Sequence, residues 1–151
     1  MLKHEDWPGL DKITAIRRQE AEGARRLSIL VGNGGIFLPL ELMRGADGAM
    51  TGYAFPEMLV GVCRLVAAGK REEALDLFDA HLPLVRYEMQ PGLGLVARKH
   101  VLQQRGAIAS AAIRPPGPRL TAETRAEVGW LLRRLERRVA SGGYVCRKGE
   151  A

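Results

Sequence analysis

Three successive repeats of one local pattern constrain this chain more than any other feature. Over its first half a short apolar run leads into a polar or glycine-bearing turn and then into a helical stripe, with the runs beginning at Met1, Leu27 and Gly48. Parallel strands need a crossover of a dozen or more residues, and a helix laid over the sheet supplies it, so the pattern predicts consecutive βα units. Met1 to Lys3 reads as a strand, followed by the turn Glu5-Asp6-Trp7-Pro8-Gly9 and a helix from about Leu10 to Arg25 with Leu10, Ile13 and Ile16 inward. Leu27 to Val31 reads as a fully buried strand. Gly32-Asn33-Gly34-Gly35 then turns into a short helix over Ile36 to Arg44, which Gly45 can stop in the left-handed conformation. Gly48 to Thr51 is a weaker third strand, and a helix from about Pro56 to Ala68 ends at Gly69.

The second half has no strand pattern. Ala74, Leu75, Phe78 and Leu82 lie at helical offsets within Glu72 to Leu84, and Leu95, Val96 and Leu102 within Leu93 to Gln104. The most regular stripe runs from Ala122 to Ala140, with Thr121 as its N-cap after the stiff link Arg114-Pro115-Pro116-Gly117-Pro118. Residues 1–69 are therefore read as strand-and-helix units, 70–140 as a helical region and 141–151 as a polar, flexible tail. A parallel sheet needs both faces covered and its edges protected. Three βα units that open on a strand at the first residue read as though more of the sheet precedes them.

Composition narrows the function. Of 151 residues, 46% are hydrophobic and 26% charged, enough for one buried core, and no apolar run is long enough to span a bilayer. With no secretion-signal pattern at the N-terminus, a cytoplasmic protein without membrane contact is expected. The net charge of +6 raises nucleic acid as a partner. Most of the excess, however, falls on Arg125, Arg133, Arg134, Arg137 and Arg138, the polar side of a stripe formed by Val128, Leu131, Leu132, Leu135 and Val139. That is a solvated helix face, and no nucleic-acid-binding motif accompanies it. Cys63 and Cys146 lack disulfide or metal spacing and are expected to be free thiols. His4, His81 and His100 lack metal-site offsets and are expected at the surface or its boundary, so no metal and no cofactor is anticipated.

Four blocks stand in a recognisable order: Leu2-Lys3-His4-Glu5, Ile29-Leu30-Val31-Gly32-Asn33-Gly34-Gly35, Gly45-Ala46-Asp47-Gly48-Ala49-Met50-Thr51-Gly52, and Arg98-Lys99. Together they resemble the last three βα units and C-terminal helices of the dihydrodipicolinate synthase and N-acetylneuraminate lyase family, up to about Arg138. The resemblance implies an α/β fold, a partial (β/α)₈ TIM barrel followed by a three-helix C-terminal region. It also implies a class I aldolase or lyase acting on pyruvate or another 2-oxo acid through an imine, with Lys3 as the imine lysine. Gly32 corresponds to the glycine that leaves room for substrate after the seventh strand, and Met50 and Thr51 to the pocket lining at the end of the eighth. The sialic-acid-cleaving branch carries carboxylates after the seventh strand; Asn33-Gly34-Gly35 argues against that substrate.

An imine lysine must be neutral to attack, which desolvation inside a barrel mouth favours. Glu5 and Asp6 beside Lys3 would oppose this, and Asp6 is read as a helix cap instead. The family's carboxylate-holding threonine loop and proton-relaying tyrosine lie on earlier strands, and neither Tyr53 nor Tyr87 matches their positions. The chain is therefore expected to be inactive alone and to work as a homo-oligomer or with a complementing N-terminal half. Arg86-Tyr87-Glu88-Met89-Gln90 reads either as subunit interface or as a branch-specific loop.

Overall fold

A computed structural model describes residues 1–142. Three short strands, β1 (Leu2–His4), β2 (Ile29–Val31) and β3 (Gly48–Ala49), form one parallel sheet in the order β1-β2-β3. Leu2 pairs with Ile29, Lys3 with Leu30 and His4 with Val31, while Leu30 pairs with Gly48 and Val31 with Ala49. Helix α1 (Gly9–Ala21) connects β1 to β2, and α2 (Leu38–Met43) connects β2 to β3 through a 3₁₀ turn at Asn33–Gly35. α3 (Pro56–Ala67), α4 (Arg71–Glu88), α5 (Gly94–Gln104) and α6 (Ala122–Gly142) follow. The architecture is thus α/β with a small parallel sheet and many helices.

Side chains alternate across a strand. Ile29 and Val31 are fully buried and join Ile13 of α1, Leu38 of α2 and Met58, Leu59 and Val62 of α3 in the main core. Burying each of these aliphatic side chains contributes about 1.5–3 kcal/mol. The core runs on through Ala74, Phe78, Leu84 and Val85 of α4 to Leu135 of α6, so the strand-bearing and all-helical parts share it. On β1 the same alternation buries His4 and leaves Lys3 exposed, on the side away from these helices.

Several boundaries differ from expectation for physical reasons. Leu27 is 36% exposed instead of buried, because the chain joins the ladder only at Ser28, whose carbonyl accepts from Leu2 N–H at 2.7 Å. β3 ends at Ala49, and Met50 and Thr51 leave it as a loop after Met50 N–H reaches Val31 O at 2.9 Å. Asp6 does not cap α1: its N-cap is Pro8, and Asp6 instead pairs with Lys12 at 2.6 Å. His4 and His81 are core residues, 3% and 6% exposed, not surface ones. Arg86 to Gln90 is no loop of its own; α4 extends to Glu88, which is buried.

The helix stops after α2 and α3 and the cap of α6 agree with expectation. Gly45 and Gly69 follow α2 and α3 with positive φ. The Thr121 hydroxyl accepts from Thr124 N–H at 3.1 Å and caps α6, whose Val128 and Leu135 are buried while its arginines stay exposed. α6 continues through Ser141 and Gly142, where the flexible tail was expected to begin; residues 143–151 of that tail, with Cys146, lie outside the described residues. Cys63 is a free, half-buried thiol. No helix among the described residues is long and apolar enough to cross a membrane, and no cluster of metal-ligating side chains occurs among them.

Candidate active site at the strand ends

Lys3, Leu30 and Gly48 are register partners across the three strands. Their side-chain positions therefore share one row on the face opposite Val31 and His4. One row further along, at the C-terminal ends of the strands, the same alternation places Glu5, Gly32 and Met50. Lys3 and Gly32 meet through Glu5: its Oε1 lies 3.4 Å from Lys3 Nζ, and its side chain crosses the α-carbon of Gly32, where any Cβ would overlap it. Asn33 Nδ2 donates to the Glu5 carbonyl at 3.0 Å and fixes the loop behind it. The Lys3 and Glu5 side chains are 47% and 50% exposed, so their ion pair adds little to stability.

Met50 and Thr51 are less closely joined to Lys3. Met50 is exposed, and the Thr51 methyl faces Gly35 in the turn after β2. Neither makes a hydrogen bond or ion pair with Lys3 among the described residues. The turn itself is tight: Asn33, Gly34 and Gly35 all have positive φ, and side chains at Gly34 and Gly35 would run into Met89 and Leu59. Gly32 N–H binds His4 O at 2.9 Å, and Gly35 N–H binds Gly32 O at 2.9 Å. These amides serve the turn and do not cradle an anion.

A buried polar network braces the loop after β3 from beneath. Glu88, at the C-terminal end of α4, accepts Arg98 Nε of α5 at 2.8 Å and the Ala54 N–H at 3.2 Å. The Arg98 guanidinium lies against Gly52, whose missing side chain makes room for it. Burial raises the Glu88 carboxyl above the usual carboxylate range even with Arg98 beside it. Behind this loop the Tyr53 hydroxyl lies 3.0 Å from His81 Nδ1. Burial, with a smaller contribution from the charge of Arg105, lowers His81 to about 4, so the ring is neutral across the physiological range. Arg105 binds Ala54 O and Glu57 and stacks on Phe55 at 4.1 Å. Tyr53 is thus a core residue, 4% exposed. Of this brace the sequence analysis named Gly52 and Arg98 within motif blocks and Glu88 within the run Arg86 to Gln90, without joining them. Glu88, the acid in the half-apolar run Leu84 to Met89, was the available signal for the brace.

No family model matches the chain. It is 35% identical over 105 residues to the L-2-keto-3-deoxyarabonate dehydratase of Azospirillum brasilense, a match covering 70% of this chain and 34% of that protein. Among solved structures it matches a dihydrodipicolinate synthase from Rhodopseudomonas palustris with a TM-score of 0.87 and 61% identity, over 89% of this chain and 45% of that one. It also matches the 4-hydroxy-tetrahydrodipicolinate synthase of Methylacidiphilum fumariolicum SolV, with a TM-score of 0.73 and 25% identity, over 91% of this chain and 44% of that one. A dihydrodipicolinate synthase from Oceanobacillus iheyensis, at 18% identity and a TM-score of 0.71, shares the fold. The chain spans about a third of the dehydratase and a little under half of each synthase. Agreement in both backbone and sequence over nearly all of the described residues means that the chain belongs to the dihydrodipicolinate synthase family.

Proposed function

We propose that this chain is the C-terminal part of a Schiff-base-forming lyase or synthase acting on pyruvate or another 2-oxo acid, with Lys3 as the imine lysine and Gly32, Met50 and Thr51 lining the substrate site. In this reading β1, β2 and β3 are the last three strands of a (β/α)₈ barrel, whose active site lies at the C-terminal strand ends. The observation that carries it is the row Lys3, Leu30 and Gly48 on the face away from the helices, with Glu5 folded over Gly32 at the strand ends.

The chemistry follows from the amine. Lys3 Nζ adds to the ketone carbon of the 2-oxo acid, and the resulting carbinolamine loses water to give an imine. The imine draws electrons from the neighbouring carbon, so a proton, or a carbon group in cleavage, departs and leaves an enamine. Condensation runs the same step in reverse. Glu5 is placed to hold the resting ammonium and would have to give it up as substrate enters, since the amine attacks only when neutral. The open face above Lys3 needs further strands to exclude water and to supply a carboxylate-binding group and a proton relay; those lie with a complementing N-terminal half, and assembly into oligomers is part of the same proposal.

Trapping tests it. With the complementing half of the barrel supplied as a separate polypeptide, pyruvate and borohydride should add the mass of a reduced pyruvyl adduct to Lys3, located by peptide mass spectrometry. Lys3→Ala and Lys3→Arg should both lose the adduct, because guanidinium stays protonated. An adduct at another lysine, or an undiminished one on Lys3→Ala, would overturn the assignment.

A further inference from the structure

Outside the strand-end row lies a cavity of about 270 Å³ between the loop after β1 and helix α2. Asp6, Trp7 and Asp11 line one side, and Asn33, Phe37, Glu41 and Arg44 the other. Lys3 is not among its lining residues. Trp7 and Phe37 meet edge to face at 5.5 Å and are 61% and 37% exposed, forming an aromatic lip. Glu41 reaches the same cavity from α2 and is only 6% exposed.

The three acids are not equivalent. Asp6 is held by Lys12 at 2.6 Å, and Asp11 by Arg44 at 2.7 Å. Among the described residues the Glu41 carboxylate has no hydrogen bond and no ion pair. α3 and α4 also pack on α2, but neither contributes a side chain to the cavity lining. The residue is thus buried while its carboxylate, open only to the cavity side, has no partner among the described residues, and a carboxyl so placed is ordinarily paired. A carboxylate at the base and aromatic rings at the rim are what a small organic cation requires, because the charge pairs with the acid while the apolar body meets the ring faces and edges.

From this arrangement we propose that the cavity is a binding site for a compact organic ammonium ion, with Glu41 as its counter-ion and Trp7 and Phe37 as its aromatic walls. The site is separate from the imine chemistry and stands whether or not Lys3 carries it. Asn33 joins the two regions: it lines this cavity and donates to the carbonyl of Glu5, the residue paired with Lys3. Because burial raises the Glu41 carboxyl to about 7, below that pH the carboxyl must release its proton to solvent when the ammonium pairs with it. Asp6, Asp11 and Arg44 face the cavity too, but their pairing leaves Glu41 as the group that titrates with the ligand.

The probe is benzylammonium, with benzyl alcohol as its neutral counterpart. The chain has two tryptophans, so a Trp130→Phe background leaves Trp7 as the sole tryptophan, excited selectively over the tyrosines. At pH 8, benzylammonium should change Trp7 emission saturably, and benzyl alcohol should bind at least tenfold more weakly. Affinity should fall about tenfold from pH 8 to pH 6, following the ionised fraction of a carboxyl near 7. Glu41→Gln, nearly isosteric, should lose at least tenfold and flatten the pH profile. Equal binding of the alcohol, a flat profile in the unsubstituted site, unchanged affinity in Glu41→Gln, or no saturable response to benzylammonium would each overturn the proposal. The pH profile of the parent chain stands even if the variant misfolds, and none of these results depends on an imine forming at Lys3.

Discussion

Glu41 also contributes to the pH dependence of the fold. Its carboxyl is raised by burial from 4.5 to about 7, so the folded chain binds that proton more tightly than the unfolded chain does. Stability from this group is full below 4.5 and declines as pH climbs through about 7. Discounting for partial contact with water, the loss is on the order of 2 kcal/mol. Glu41→Gln should therefore be more stable than the parent at pH 8 and nearly equal to it at pH 5, as judged by urea midpoints; a variant less stable at both would contradict the buried, unpaired carboxyl. His81 acts in the opposite sense: its pKa is depressed to about 4, so its contribution is present above 6.5 and is lost as pH falls toward 4. At residue scale the sequence offered a candidate site more readily than it offered environment. Lys3 could be named from the order of motifs, whereas the burial of His4, His81 and Glu41 depends on which helix packs over each and has no local signature.

At the scale of elements, the helices were legible because their stripes are long, and the strand ends were not, because two or three residues of ladder carry almost no pattern. Tertiary partners explain what propensity cannot. Pro83 sits inside α4 and removes the N–H that would bind the Asp79 carbonyl; Arg138 of α6 donates to that carbonyl instead, at 3.2 Å. In the same way Arg98 fills the space above Gly52 and satisfies Glu88. Gly52→Val should displace the guanidinium and cost about 1–3 kcal/mol, whereas Arg134→Ala, on the solvated face of α6, should stay within about 0.5 kcal/mol. Arg98→Ala should cost more, about 3–5 kcal/mol, by stranding a buried carboxylate. Thermal or urea melts of the three variants check the ranking; equal midpoints for Gly52→Val and Arg134→Ala would remove the brace from beneath the loop after β3.

The whole molecule presents an asymmetry that bears on its proposed role. One face of the sheet is sealed by helices, with Ile29 and Val31 fully buried, while the opposite face carries Lys3, Leu30 and Gly48 without a covering layer among the described residues. Among the described residues β1 and β3 are both edge strands, with a parallel partner on one side only. Unpaired edges beside an uncovered sheet face favour association with further strands. The three strand-and-helix units were legible in the sequence, but which face of the sheet the helices leave uncovered was not. Imine catalysis requires a neutral lysine, a held carboxylate and a proton relay brought together in one dry mouth. Lys3 stands at the open face, half exposed and paired with Glu5, and Tyr53 is committed to His81 in the core. The purified chain should therefore self-associate and should not turn over pyruvate at a rate typical of the family, by light scattering run beside a coupled assay for pyruvate. A monodisperse monomer with robust turnover that disappears in Lys3→Ala would mean that these strands suffice alone, and that the open face is a working mouth and not a surface awaiting its partner.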